Sequence, residues 1–142
     1  MTATSPAIEY GQAESIALPY DAAVAATRDA LAAEGFGVLT EIDVRATFKK
    51  KLDVDFRPYV ILGACNPSLA HRALSEETAI GLLLPCNVVV YAGDDPDTSV
   101  VAVLDPEVQL GVTGRDDLKP MAAEVKAKLT RALNAVKAKE SK

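Results

Sequence analysis

The chain reads as an α+β domain, a mainly antiparallel sheet with helices packed on it. Three observations predict that class. The apolar residues change period along the chain, from the alternation of strands to the spacings of three and four that mark helices. Two strand-like runs, 82–91 and 99–104, flank the turn-forming Gly93-Asp94-Asp95-Pro96-Asp97, which is the pattern of an antiparallel hairpin with a long tip. A long amphipathic stretch then closes the chain, with Leu118, Ala122, Val125, Leu129, Ala132 and Val136 on one stripe.

The elements follow in order. Residues 7–18 alternate partially and suit a strand exposed on one side. Pro19 opens a helix over 20–34, carried by Tyr20, Val24, Thr27 and Leu31, and Gly35 is its left-handed stop. The second strand, 36–42, places Phe36, Val38, Thr40 and Ile42 on one side. Asp43 caps a short helix with Val44, Phe48 and Leu52 along one stripe and Arg45, Lys49, Lys50 and Lys51 on the other face. Residues 59–65 are apolar on both faces, which predicts a buried third strand. Asn66-Pro67 pairs a capping residue with proline at the first helical position, so a short helix carrying Leu69, Ala70, Ala73 and Leu74 follows. After the hairpin, Asp105-Pro106 begins a connection containing Gly111 and Gly114.

With 142 residues, 49% of them apolar, the chain has material for one core without metal or disulfide staples. A single domain is expected over 1–142, with a core at about 7–136 and a frayed tail at 137–142. The net charge of −5 argues against a partner held by its phosphate backbone, so no nucleic acid is expected. Residues 1–20 lack a basic and apolar leader, and the chain is expected in the cytosol. The most apolar stretch, 80–91, is shorter than a transmembrane helix and contains Pro85 and Asn87. In a reducing compartment Cys65 and Cys86 are expected as free thiols, a structural disulfide being the weaker reading.

The sharpest local feature is a repeated dipeptide, Cys65-Asn66 and Cys86-Asn87. Cys65 falls where a strand gives way to a helix, whose free N–H groups favour a thiolate. Pro85 removes one ladder donor beside Cys86, so a bulge there would leave polar groups open to a ligand. The leading hypothesis is a pocket formed by Cys65, Asn66, Cys86 and Asn87 for a small ligand or a soft metal. The commoner reading of both cysteines is that of small core hydrophobes, with Asn66 as a helix cap. Two thiols fall short of a closed zinc site, while a two-thiolate site stays open. His71, the sole histidine, would be the base if Cys65 were a nucleophile, against the plainer reading of a solvated surface residue. Glu76 and Glu77 project differently and read as a helix end. The basic group Arg45, Lys49, Lys50, Lys51 and Arg57 reads first as the wet side of its helix and second as a site for an anion or acidic partner. The C-terminal stripe would serve a dimer contact or, as layering favours, cover its own sheet.

The phrases Phe36-Gly37-Val38-Leu39-Thr40-Glu41-Ile42-Asp43-Val44, Leu62-Gly63-Ala64-Cys65-Asn66-Pro67 and Leu84-Pro85-Cys86-Asn87-Val88-Val89-Val90 resemble domain-of-unknown-function family 302. That resemblance implies a TATA-binding-protein-like fold of β-α-β(4)-α order with helical insertions, and a homodimer. The family's biochemical activity is unassigned, and its fold name implies no DNA binding. Three functions follow as expectations: a binding module at the cysteine pocket, a structural or partner-binding homodimer, and a thiol enzyme using Cys65 and His71.

Overall fold

The structure, a computed structural model, describes residues 5–140. In chain order its elements are β1 (Gly11–Ile16), α1 (Tyr20–Ala33), β2 (Gly37–Asp43), α2 (Val44–Leu52), β3 (Tyr59–Cys65) and α3 (Pro67–Glu76). A 3-10 turn over Thr78–Leu83 precedes β4 (Cys86–Ala92), β5 (Ser99–Leu104), α4 (Pro106–Gly111) and α5 (Lys119–Lys137). The strands form one antiparallel sheet in the order β1-β5-β4-β3-β2. With α2, α3 and α4 set aside as insertions, the order is β-α-β(4)-α.

The core lies between the sheet and the paired helices α1 and α5. Alternation along the strands turns Val60, Leu62 and Ala64 of β3, Val88 and Val90 of β4, and Val101 and Val103 of β5 onto that face, where all are buried. α5 answers with Val125, Leu129, Ala132, Leu133 and Val136, so its stripe covers its own sheet. The opposite face of the sheet carries no such helix pair. There Tyr59 stacks on its cross-strand partner Tyr91 at 5.2 Å, and Ile61 is only half-buried, so β3 is not covered equally on both sides.

α1 ends as its glycine predicts. Gly35 adopts φ +84°, and the N–H groups of Gly35 and Phe36 bond the carbonyls of Ala32 and Leu31, closing the last turn. β2 departs from strict alternation. Its register shifts between Val38 and Thr40, which leaves Leu39 as an extra, exposed residue. That bulge reverses the phase of the strand. Val38 sits opposite buried Ala64, whereas Thr40 and Ile42 sit opposite Gly63 and Ile61 on the open face.

Two boundaries also differ from the sequence reading. β4 begins at Cys86 instead of 82, because Pro85 has no N–H for the ladder and the preceding residues close a 3-10 turn. Pro85 therefore precedes the strand instead of interrupting it, and Cys86 pairs with Ala64 without a bulge. At the C-terminus, Glu140 is tied down where fraying was expected. Its carboxylate accepts from Ala17 N–H at 2.8 Å and from Lys137 Nζ at 3.0 Å; Ser141 and Lys142 lie outside the described residues.

The Glu140 contacts carry a pH prediction. Burial works against its charge, but the Ala17 N–H and the Lys137 ammonium outweigh burial and hold its carboxyl below the ordinary value. A lowered folded pKa contributes stability above the ordinary carboxylate range that is lost as pH falls through it. Glu140→Ala should therefore cost up to about 1 kcal/mol at neutral pH, and close to nothing once both states are protonated. Urea melts of the two proteins across acid pH would show this; a constant difference would exclude it.

Candidate functional site

The end of the sheet where β3 stops and β4 starts holds a cavity of about 330 Å³. Its floor is the helix-facing surface of the strands at Ala64 and Cys86. Leu69, Ala70 and Ala73 of α3 form one wall and Leu84 and Pro85 a second, while α4, the first turns of α5 and the 36–40 stretch at β2 also line it. Local sequence positions each part. Asn66 Oδ1 accepts from Leu69 N–H at 3.3 Å and so starts α3 immediately after Cys65, with Pro67 in the first turn. Asp105 does the same for α4, accepting from Glu107 N–H at 2.8 Å with Pro106 following.

Cys65, Asn66 and Cys86 all line this cavity. Asn87 does not join them, because strand alternation sends it to the open face opposite Gly63, beside Tyr59, Val89 and Tyr91. Asn66 faces the cavity while its side-chain oxygen is engaged as a helix cap. His71 also stands apart. It is exposed on α3 and borders a separate surface depression with Arg72, Ser75 and Glu76, so the cavity brings no imidazole to Cys65.

Gln109 of α4 is the polar centre of the cavity. Its Nε2 donates to the carbonyl of Leu83, and at 3.5 Å to that of Pro85, which leaves Oε1 turned toward the Cys86 thiol. Cys86 Sγ donates to that oxygen at 3.3 Å. Burial pushes the Cys86 thiol up to about 11, and Cys65 nearby acts in the same direction. A nearby amide lowers a thiol's pKa when it donates to the sulfur; here the acceptor oxygen faces it, so the proton is held in place. At neutral pH Cys86 is a thiol, not a nucleophile.

Among the described residues, none that lines the cavity is charged. Among the described residues, no group of three or more His, Cys, Asp or Glu is arranged to hold a metal ion. Both cysteines are free. No described helix is long and apolar enough to cross a membrane.

The family model for Domain of unknown function DUF302 matches residues 12–136. The chain belongs to the DUF302 family. A crystal structure of an uncharacterized conserved DUF302 protein from Bacillus stearothermophilus is 29% identical, with a TM-score of 0.83 over 91% of this chain and 99% of that one. No curated protein matches the chain. The likeness establishes the α+β fold of this DUF302 chain, with its five-stranded antiparallel sheet.

Sequence reasoning misses Gln109, because the stretch after Asp105 reads as a connection. The signal was present, since Asp105-Pro106 repeats the cap-then-proline start of Asn66-Pro67. Gln109→Leu in this DUF302 protein removes the donor from the Leu83 and Pro85 carbonyls while keeping the volume. The expected cost is about 1–3 kcal/mol, measurable by urea unfolding. A neutral result would show that water replaces the amide.

Proposed function

We propose that this protein is a binding module whose cavity beside Cys65 and Cys86 takes a small, neutral, mainly apolar molecule. The observation that carries this reading is a cavity of about 330 Å³ with no charged wall and with its central amide already satisfied from within. A ligand gains there by leaving water, and an ionised group would lose its hydration without a counter-charge. Size supports the same class, since the space falls at the small end of ordinary ligand pockets.

A neutral fluorescent probe, N-phenyl-1-naphthylamine, tests the reading. Saturable, one-to-one enhancement with the intact protein is the expected result. Binding no tighter than to a cavity-filled variant would remove it.

The raised Cys86 thiol favours the organic ligand over a soft metal, because a metal must displace a proton held both by burial and by Gln109. Cu(I) chelator competition should therefore give the same weak result for the wild type and for Cys65→Ser/Cys86→Ser. Tight binding that needs both thiols would establish the metal instead. Homodimerisation, which the family resemblance implies, and a cytosolic location belong to the same proposal. Light scattering across a dilution series checks it, and a monomer at every concentration removes the dimer.

A further inference from the structure

α2 stands outside the logic of both core and cavity. Val44, Phe48 and Leu52 recur at the spacing that normally buries one stripe of a helix, yet no residue of α2 is buried. Leu52 is 65% exposed, and Ile42, Val54 and Phe56 around the helix also stand in solvent. Phe48 meets Phe56 edge to face at 5.2 Å, and the Val54 N–H bonds the Phe48 carbonyl, so the helix and the segment after it form one surface.

That surface is basic in an acidic protein. Residues 44–57 hold Arg45, Lys49, Lys50, Lys51 and Arg57 against Asp53 and Asp55, in a chain of net charge −5. Lys49 is tied to Asp53 and Asp55, and Arg57 to Asp94. Among the described residues, Arg45, Lys50 and Lys51 form no ion pair. The apolar face opposite these cations is only partly covered: Val44 and Phe48 are half-buried where α2 meets β2 and β3, while Leu52 stands in solvent.

We propose that α2 and residues 53–57 dock this protein on an anionic lipid surface. Charge complementarity selects the occupant. Unpaired cations meet phosphate headgroups, while leucine, valine and phenylalanine beside them enter the acyl boundary, which is the division of labour of interfacial helices. The acidic remainder of the chain is repelled by the same surface, and in the other basic stretch, α5, Lys119, Lys126, Arg131 and Lys137 are already paired with carboxylates. The inference is independent of the cavity and survives or fails without it.

Flotation of the full chain with vesicles decides it. Phosphatidylcholine vesicles containing phosphatidylglycerol should carry the protein at low salt, pure phosphatidylcholine should not, and high salt should release it. Lys50→Glu/Lys51→Glu should weaken flotation at least about tenfold. Leu52→Ser/Phe56→Ser should weaken it too, with circular dichroism confirming that both variants are folded. Failure of the wild type to float with anionic vesicles overturns the proposal, as does equal flotation of the charge-reversed variant. If the wild type does not float and Leu52→Ser/Phe56→Ser instead converts a dimer to a monomer, the face belongs to a second copy and the lipid proposal is likewise overturned.

Discussion

Ala73→Phe should sharply weaken binding of N-phenyl-1-naphthylamine while leaving the protein folded. Ala73 is a small, buried residue of α3 that lines the cavity, so a ring placed there is expected to enter existing space. Overpacking ordinarily costs about 1–3 kcal/mol when a core is already full. Here the void offsets that cost, and the melting temperature should hold steady or rise. Affinity for the probe should drop at least about tenfold, equivalent to roughly 1.4 kcal/mol. Ala70→Phe, on the same wall but only half-buried, should weaken binding less. A folded Ala73→Phe protein that binds the probe as the wild type does would place the probe elsewhere and exclude the cavity as its site.

The chemistry of Cys86 gives a companion result. In a Cys65→Ser background, the rate of iodoacetamide alkylation should climb with a midpoint near the thiol's raised value of about 11, and near the ordinary thiol range once the chain is unfolded in urea. The sign follows from linkage. A folded state that keeps its proton longer than the unfolded state loses stability as pH rises between the two values. A midpoint at or below the ordinary thiol value would restore Cys86 as a nucleophile.

The sequence made the fold largely legible because local signals and global packing agree. The hairpin of β4 and β5, the Gly35 stop and the α5 stripe each express one rule that the core also enforces. Legibility ended where a local exception changed the phase. The bulge at Leu39 carries no sequence mark, yet it decides which side chains of β2 meet the core. Gly63 is similar. A β-carbon there would overlap Thr40 Oγ1 and lie 2.9 Å from Pro85 Cγ, a crowding that only the folded register creates. The cavity was half legible. The recurring Cys-Asn phrases pointed to Cys65, Asn66 and Cys86, but strand alternation, applied to Asn87, would have removed it from the set. Gln109 needed the long-range packing of α4, which no local pattern reports.

The largest stability effect is expected at Leu129. This side chain is fully buried in α5, where the helix lies on α1 and the sheet. Leu129→Ala removes apolar volume from a close-packed site whose neighbours belong to several elements and cannot collapse together, so the cost should be about 2–5 kcal/mol. For a chain of this size the melting temperature should fall by roughly 5–20 °C. Leu82→Ala deletes the same atoms from a residue that is 89% exposed on the 3-10 turn, and should change stability by less than about 0.5 kcal/mol. Urea midpoints with an unchanged slope would report both values. A loss at Leu129 as small as that at Leu82 would mean that α5 does not close the core, and with it the cavity wall at Met121 and Val125 would lose its support.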